Sequence, residues 1–274
     1  MTLVNSKTQS LPDISVFIIA RDDGKTIEKT LKQAKRFARE LIVIDYGSED
    51  NTLSIAEKYA DKIYKKQWLG IYRMKNFALT LCTYPWVMHL CADEVIRDSL
   101  IDEMKDKFGK QLAKGKLGFR FPRRFHVGNT FVRWAGFYPD HQLRIFKKNI
   151  AHFRGNSMDE SVEIWDVKKE RYLSNSSKVY TFTNAIDYYP FKTIKDMENY
   201  YYFNAEVGFK KISKFQAVVG SCGTFIEKFI FRFGFLSGGL GFKICKILAM
   251  RVWKQYKRAS DPSRNYVKLQ EGRL

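Results

Sequence analysis

The first hundred residues alternate between short apolar runs and segments with a helical repeat. The apolar runs are rich in β-branched residues, as buried strands are, and cover residues 14–20, 41–45, 63–64 and a stretch starting at Trp86. Apolar residues at helical spacing mark the segments between them, at residues 26–38, 51–59 and 71–81. This rhythm predicts an α/β fold with a mostly parallel sheet, flanking helices and right-handed crossovers.

Residues 95–215 contain fewer patterned segments. A surface helix is predicted at 98–108, and a longer one, rich in Tyr and Phe, at 193–211. Alternation of apolar and polar residues predicts a strand at 117–124 that pairs with 130–134. The loop that starts at Gly136 is expected to become a further strand containing Leu143.

The chain changes character after residue 215. Residues 225–258 hold eight basic residues and the single acid Glu227, and glycines divide this stretch into two predicted helices. Each half is apolar with a basic flank, which is typical of helices lying in a membrane interface. Basic residues near an anionic leaflet contribute roughly 1 kcal/mol each. The alternative is two amphipathic helices packed on the body of the protein.

These patterns predict two domains, an α/β domain over residues 1–215 and a basic, amphipathic helical tail over residues 216–274. No uncharged apolar stretch is long enough to predict a helix that spans a bilayer. The four cysteines match no zinc or redox spacing and indicate a reducing cytoplasm.

The net charge of +19 over 274 residues favours an anionic partner. Nucleic acid, an anionic membrane surface and a phosphorylated substrate are the three classes that fit. No recognisable nucleic-acid-binding module is present, and the basic residues of the tail alternate with apolar ones. We therefore expect a membrane surface and a phosphorylated substrate, and no nucleic acid.

Carboxylates cluster where the predicted strands end, although the chain is basic. The strand ends carry Arg21-Asp22-Asp23, Asp45-Tyr46-Gly47-Ser48 and Cys91-Ala92-Asp93-Glu94. Ligands of open α/β sheets bind at the carboxyl ends of the strands, so a site is predicted there. Helix capping is the alternative for these acids, and it suits Asp50 better than the adjacent pair Asp93-Glu94.

A diphosphate held by a divalent ion suits such a site. Mg²⁺ and Mn²⁺ prefer carboxylate oxygen and water, and they stabilise the charge that grows on a diphosphate leaving group. Asp93 is the candidate metal ligand, and Asp23 and Asp45 are candidates for hydrogen bonds to a base or ribose. Lys75 can meet phosphate as a point charge, with a solvated helix lysine as the alternative.

A hydroxyl acceptor also needs a general base. Asp159 or Glu160 is the candidate if that segment lies over the sheet edge, and an acidic surface turn is the alternative. The chain lacks a Gly-x-Ser-x-Gly elbow, a Gly-x-Gly-x-x-Gly pattern and a phosphate loop. Their absence argues against nucleophilic triads, dinucleotide oxidoreductases and ATPases.

An ordered set of motifs matches a known family. The matching segments are Ile19-Ala20-Arg21-Asp22-Asp23, residues 43–52, Lys75-Asn76-Phe77-Ala78-Leu79, Ala92-Asp93-Glu94, residues 138–146 and Gly238-Gly239-Leu240-Gly241. With these segments the chain resembles family 2 glycosyltransferases, and within them the lipopolysaccharide core β-glucosyltransferase-like group. The resemblance covers roughly residues 15–257.

The resemblance implies a Rossmann-like GT-A fold, a nucleotide-sugar donor with UDP as the expected nucleotide, Mg²⁺ or Mn²⁺, and inversion at the anomeric carbon. It also implies a lipid-linked saccharide acceptor, such as lipopolysaccharide core, at the inner face of the cell membrane. Asp93 is then the metal ligand, and Asp159 with Glu160 supplies the base. The donor-binding residues it implies are Arg21, Asp23, Asp45, Ser48, Lys75, Cys91, Ala92, Gln142 and Arg144.

The chain departs from the family pattern at three places. Cys91 stands where the first Asp of an Asp-Ala-Asp-Glu motif is usual, Asp159 stands where a His is usual, and Asp22-Asp23 replaces Asn-Glu. A thiol cannot replace the charge of a carboxylate. These differences leave open an alternative function, in which a non-catalytic glycosyltransferase-like protein binds a nucleotide or a partner enzyme.

Overall fold

The computed structural model of the chain describes residues 11–154, 161–166, 171–173, 178–204 and 213–259. Its described residues form two compact units. The sheet unit contains those up to Pro122 and those from His141 to Asp187, and the helical unit contains Arg123–Asp140 and those from Tyr188 onwards. The helical unit thus also contains residues that precede residue 215, where the sequence pattern places the domain boundary. That boundary stays a prediction.

The first half of the sheet unit alternates strands and helices as the sequence pattern predicts. Its strands are β1 (Ile14–Ala20), β2 (Glu40–Asp45), β3 (Lys62–Lys65), β4 (Trp86–Cys91) and β5 (Glu94–Ile96). Its helices are α1 (Ile27–Ala34), α2 (Thr52–Tyr59), α3 (Ile71–Leu81) and α4 (Asp98–Ala113). Helix α4 continues beyond the predicted end at residue 108.

The remaining strands are β6 (Gly118–Val127), β7 (Thr130–Phe131), β8 (Asp140–Lys147), β9 (Ala151–Arg154), β10 (Ser161–Asp166), β11 (Arg171–Leu173), β12 (Val179–Thr181) and β13 (Ile186–Phe191). The main sheet has the order β3-β2-β1-β4-β8-β6-β13-β5, and β11-β10-β9 form a small separate sheet. The predicted pairing of the strand near 130 is confirmed, but β7 pairs with the far end of β6, at His126 and Val127.

Strand β1 lies between two parallel neighbours. Its register places Ala20 opposite Asp45 of β2 and Ile19 opposite Cys91 of β4. Strand β8 then joins β4 in the antiparallel sense. The predicted parallel arrangement of the first four strands is confirmed, and the carboxyl ends of β1, β2 and β4 meet at one edge of the sheet.

The core of the sheet unit lies on both faces of the sheet. Ile14, Val16 and Ile18 of β1 belong to one buried cluster, which also holds residues of α1 and α4. Phe17, between them in sequence, belongs to a second cluster with Ile42 of β2 and residues of α3. Successive strand residues point to opposite faces, so a run of continuous apolar residues is what a sheet covered on both sides requires.

Glu40 is a buried carboxylate at the opposite edge of this sheet. It accepts hydrogen bonds from Ser15 Oγ at 2.5 Å, from Lys62 Nζ at 2.7 Å, and from Thr83 N and Oγ1 at 2.8 and 2.7 Å. Burial alone would raise the pKa of Glu40, but these hydrogen bonds outweigh it and lower the pKa from 4.5 to about 2. The carboxylate joins β1, β2, β3 and the turn before β4.

The helical unit contains α5 (Ile194–Asn204), α6 (Lys214–Ile226) and α7 (Gly238–Ala259). Its buried cluster consists of Phe125, Val127, Val132, Phe191, Met197 and Ile244. The long helix predicted at 193–211 is confirmed up to Asn204, and its last part lies outside the described residues.

Two helices in the tail are confirmed, but their bounds differ from the prediction. Helix α6 begins with Lys214, well before residue 225, because Ser213 and Gln216 form a capping box there. A π-helical turn (Glu227–Phe231) and a 3₁₀ turn (Gly234–Ser237) separate the helices. Gly241 lies inside α7 and does not break it.

Among the helices that the structure describes, none alone has the length and hydropathy needed to cross a membrane. The segments Lys214–Phe231 and Gly234–Gln255 meet this criterion only together, as a pair bent by 72°.

We expect the Glu40→Ala variant to lose about 2–4 kcal/mol of stability at pH 7, because the buried partners of the carboxylate lose their acceptor. The folded pKa lies below the unfolded one, so the contribution of Glu40 is complete above pH 4.5 and is lost as the pH falls toward 2. Urea unfolding at pH 7 and pH 3 measures this. The exposed Glu57→Ala is the control, and an equal deficit of Glu40→Ala at both pH values would contradict the assignment.

Candidate active site

A cavity opens at the sheet edge where β1, β2 and β4 end. Its volume is about 120 Å³, and it is lined by Ile19, Tyr46, Trp68, Ile71, Lys75, His89 and Cys91. The lining combines apolar and aromatic surface with one lysine, which is the usual composition of a small-molecule site. Its position agrees with the site predicted at the carboxyl ends of the strands.

Two aromatic rings form one wall of the cavity. The ring centroids of Tyr46 and Trp68 are 4.5 Å apart, with the planes tilted by 40°. The Arg21 guanidinium lies 5.7 Å from the centroid of the Tyr46 ring. Burial raises the pKa of the Tyr46 hydroxyl, as does the negative charge of Asp23, so the tyrosine stays neutral. This wall offers flat, uncharged faces on which a heterocyclic base can stack.

The turn after β2 is held by the carboxylate of Asp45. This buried side chain accepts hydrogen bonds from Gly47 N at 3.1 Å, from Ser48 N at 3.2 Å and from Ser48 Oγ. Gly47 has a φ of +110°, which glycine adopts without strain. The Ser48 hydroxyl in turn accepts from Asp22 N at 3.1 Å, so this turn and the loop after β1 form one structure.

Asp50 hydrogen-bonds the backbone near the start of α2, in agreement with helix capping, the alternative to ligand binding that suited this residue. Its carboxylate accepts from Thr52 N and Gly24 N, both at 2.9 Å. The N-cap of α2 is nevertheless Asn51, which makes no side-chain cap bond, so Asp50 acts from one residue earlier. Thr52 Oγ1 accepts from Asp23 N at 2.8 Å and extends the same network.

Asp23 has a strongly perturbed carboxyl group at this edge. Burial raises its pKa to about 6, and the nearby carboxylates of Asp50, Asp22 and Asp45 add to the increase. The hydrogen bond from Arg21 N, at 3.0 Å, opposes it. A carboxyl group that titrates this close to neutral pH is common in binding and catalytic sites.

Lys75 reaches the cavity from α3. Its residue surface is only 4% exposed, which excludes the alternative of a solvated helix lysine. The ammonium lies 5.6 Å from the centroid of the Phe153 ring. Next to it, the Asn76 amide donates to Phe153 O and accepts from Phe153 N, both at 2.9 Å, and so fixes α3 to β9. The helix therefore holds a positive charge inside the cavity wall.

The turn between β4 and β5 is anchored by Glu94, which is fully buried and forms an ion pair with Arg144 of β8. Glu94 Oε2 also accepts from Cys91 N at 3.1 Å. Arg144 itself is 5% exposed, and its Nη1 atom lies 2.9 Å from His89 Nδ1. Arg144 thus contacts residues that line the cavity, and its predicted role in donor binding stays a prediction.

Cys91 stays a neutral thiol in this environment. Burial raises the pKa of Cys91 to about 12, and the negative charge of Glu94 adds to the increase. Its Sγ atom lies 3.9 Å from Arg144 Nη2. Where the related motif has a carboxylate, this chain has an uncharged group next to an ion pair.

Asp93 lies half-buried in the two-residue turn that follows Cys91. The turn is fixed by Thr30 Oγ1, which donates to Ala92 O at 2.9 Å. Within the ranges that the structure describes, no three His, Cys, Asp or Glu side chains converge on a preformed metal site. A single carboxylate fits Mg²⁺ or Mn²⁺ only if phosphate and water oxygens complete the shell, as these ions accept.

The structure brings some of the predicted residues to the cavity and leaves others elsewhere. Lys75 and Cys91 line it, the half-buried Gln142 is on β8, and Asp159 and Glu160 lie outside the described residues. Residues that line the cavity without having been predicted to bind are Ile19, Tyr46, Trp68, Ile71 and His89. Trp68 could have been predicted from the sequence, because a large aromatic residue is uncommon in a polar loop between a strand and a helix.

Residues 15–163, more than half of the chain, match Glycosyl transferase family 2. The chain therefore belongs to this family and is a glycosyltransferase. Its mixed sheet with flanking helices confirms the α/β class and the GT-A arrangement that the resemblance implies.

Three proteins are similar to parts of this chain. An uncharacterized glycosyltransferase of Rickettsia bellii is 30% identical over 185 residues, which are 67% of this chain and 62% of that protein. The lipopolysaccharide core biosynthesis glycosyltransferase LpsC of Rhizobium meliloti is 30% identical over 116 residues, 40% of this chain and 42% of LpsC. Glucosyl-3-phosphoglycerate synthase from Mycobacterium tuberculosis, crystallised with Mn²⁺, UDP and glucosyl-3-phosphoglycerate, is 16% identical with a TM-score of 0.39 over 52% of this chain and 59% of its own.

We expect the Glu94→Gln variant to lose about 3–5 kcal/mol of stability, because it removes the negative charge of a buried ion pair with the Arg144 guanidinium. Asp106→Asn is the matched control, since it neutralises an acid paired with Lys110 at 2.5 Å on the exposed face of α4. An exposed pair contributes about 0–1 kcal/mol. Chemical denaturation of both variants measures the difference, and equal losses would show that the Glu94–Arg144 pair does not anchor the turn.

Proposed function

We propose that this glycosyltransferase moves a sugar from a UDP-sugar to a hydroxyl group of a lipid-linked saccharide, such as lipopolysaccharide core, with inversion of the anomeric carbon. The observation that supports it most is the cavity at the ends of β1, β2 and β4. There two aromatic rings and a buried lysine line the cavity together with Cys91, which is two residues from Asp93 in the sequence.

The donor would lie along this edge of the sheet. The base would contact Tyr46 and Trp68, and Lys75 would face the diphosphate as a point charge. Asp93 would hold Mg²⁺ or Mn²⁺, and such an ion, when bound, stabilises the charge on the departing nucleoside diphosphate. Asp23, whose pKa is about 6, is able to hydrogen-bond a base or ribose as either acceptor or donor.

The acceptor hydroxyl must lose its proton as the new glycosidic bond forms. We assign that role to Asp159 or Glu160, on the strength of the family resemblance. The name of LpsC, together with the basic helical tail, supports a lipid-linked saccharide as the acceptor. The enzyme would then act from the cytoplasm, attached to the inner face of the cell membrane.

A non-catalytic protein of the same fold is the second candidate, and Cys91 is the observation that favours it. A neutral thiol replaces a carboxylate beside the Asp93 turn, so the site has one negative charge fewer than the family pattern. Nucleotide binding would persist in such a protein, while sugar transfer would be lost.

We expect the protein to release nucleoside diphosphate from one of a panel of nucleotide sugars when Mn²⁺ or Mg²⁺ and membrane glycolipid are supplied. Asp93→Ala should lower kcat/KM on the order of 10²-fold, because the metal loses its protein ligand. The exposed Asp102→Ala is the control. Absence of both turnover and metal-dependent UDP binding in the parent protein would exclude the proposed function, and full activity of Asp93→Ala would exclude the metal assignment.

Cys91→Asp tests whether the missing carboxylate limits the enzyme. We expect tighter, Mn²⁺-dependent UDP binding by calorimetry, roughly 3- to 10-fold, because the added charge supports a cation at the adjacent turn. Cys91→Ser, similar in size but uncharged, is the control. Donor binding by Cys91→Asp no tighter than that of the parent would show that this position does not limit donor affinity, and UDP binding without turnover in both would favour the non-catalytic alternative.

A further inference from the structure

Helix α6 exposes a face that contains no charge. From Phe215 to Ile226 the sequence has no acidic or basic residue. Phe215 is 76% exposed and Val219 52% exposed, and Val218 and Ile226 are exposed as well. Ala217 is the buried residue of this helix. An exposed helix of a protein with a net charge of +19 would ordinarily present charged side chains to water.

The apolar surface continues past the end of α6. The turns between α6 and α7, and the start of α7, expose six more large apolar side chains, which are Ile230, Phe231, Phe233, Phe235, Leu236 and Phe242. Contiguous apolar exposure of this kind marks a surface that contacts a membrane or another protein.

Helix α7 presents a different surface. Its apolar residues Ile244, Cys245 and Ile247 are buried, and its exposed positions include Lys243 and Lys246. Glu227, in the turn between the two helices, is paired with Lys228 at 3.2 Å and with Arg232 at 3.5 Å. The lysines therefore add positive charge next to the apolar surface of α6 and its turn.

Close packing fixes this surface in place. At Gly241, a side-chain Cβ would come within 1.9 Å of Gly234 O, so the start of α7 touches the backbone of the 3₁₀ turn. At Gly220, a Cβ would lie 3.1 Å from a methyl group of Val252, so α6 also lies close to α7. The exposed phenylalanines are thus displayed by a packed helix pair.

We propose that α6 and the turn after it lie in the apolar boundary of one leaflet of an anionic membrane, with Lys243 and Lys246 at the level of the lipid phosphates. The inference rests on the proposed membrane-bound acceptor and deepens it. The 13 residues of α6 span about 20 Å, less than the hydrocarbon core, and the two segments of the tail that meet the spanning criterion together are bent by 72°. Both observations fit a helix that lies along the surface. The sequence pattern gives each half of the tail an apolar side and a basic flank, whereas in the structure the exposed apolar side chains lie mainly on α6 and the turns after it.

An anionic leaflet fits this surface because two kinds of group meet there. An uncharged helix face with phenylalanines partitions into the acyl boundary, and flanking lysines pair with lipid phosphates.

Cys222 allows a direct test on the whole protein. It is exposed on α6, whereas Cys82 and Cys245 are buried and Cys91 is half-buried. An environment-sensitive NBD probe on Cys222 should shift to the blue and brighten when vesicles of phosphatidylcholine with phosphatidylglycerol are added. A probe on Lys32→Cys in a Cys222→Ser background, on the exposed side of α1, should not change, and labelled Cys222→Ser serves as the blank.

Matched variants separate the apolar and electrostatic contributions in vesicle co-sedimentation. Phe215→Ser with Val219→Ser should weaken binding on the order of tenfold or more to anionic vesicles, because apolar contact is lost. Lys243→Gln with Lys246→Gln should weaken it roughly fivefold per lysine on anionic vesicles and leave binding to neutral phosphatidylcholine unchanged. Lys29→Gln with Lys32→Gln on α1 removes the same charge from residues that are not part of the proposed contact and should have a smaller effect.

Two results would overturn the inference. One is an NBD signal at Cys222 that vesicles do not alter. The other concerns self-association of the protein in analytical ultracentrifugation. If the Phe215→Ser, Val219→Ser variant abolishes self-association but binds vesicles as the parent does, this face is a contact between two copies of the chain. Release of nucleoside diphosphate from the donor is measured in a parallel assay that contains no vesicles. A protein that turns over the donor but does not bind vesicles rejects only this inference. A protein that binds vesicles but does not turn over the donor rejects only the proposed function.

Discussion

The parallel pairing of β1 with both β2 and β4 is the constraint on which the site depends. Its register sets Ala20 beside Asp45 and Ile19 beside Cys91, so three loops that are far apart in sequence start at one edge of the sheet. Each loop is then fixed by its own hydrogen bonds. The Asp45 carboxylate, for example, accepts hydrogen bonds from the backbone of the turn that follows it. A shift of one residue in either pairing would move the loop ends and turn every side chain to the opposite face.

The charges at this edge are distributed unevenly. Glu94 is neutralised by Arg144, and Cys91 is kept neutral by burial and by Glu94 itself. Asp93 is the second carboxylate of this turn and the proposed ligand for a cation, while Lys75 and Arg21 supply positive charge at the same end of the strands. In the proposed function, the phosphates of the donor would supply much of the coordination of a metal at Asp93, so donor binding and metal binding would depend on each other.

The helical unit differs from the sheet unit in exposing many large apolar side chains. Its buried cluster is small, and α6 buries one side chain, that of Ala217, while leaving several large apolar ones exposed. Burying a phenylalanine or valine is worth about 1.5–3 kcal/mol, so this exposure is costly in water. An apolar surface flanked by lysines is favourable against an anionic leaflet. In the proposed function, side chains that gain no burial energy in water would hold the enzyme beside a lipid-linked acceptor.

Local patterns in the sequence determined the first four strands, the helices between them, and the strand ends at which the candidate site lies. The spacing of apolar residues and the content of β-branched residues are sufficient for this, because both depend on neighbouring residues alone. The family motifs likewise identified Lys75 and the turn at Asp93. Only the tertiary structure decided that Lys75 is buried, that Arg144 pairs with Glu94, and that Tyr46 and Trp68 form one wall of the cavity. These facts depend on contacts between residues distant in sequence. For the same reason, the sequence located an apolar and basic tail, but only the packing of α6 against α7 decided which residues of each helix are exposed.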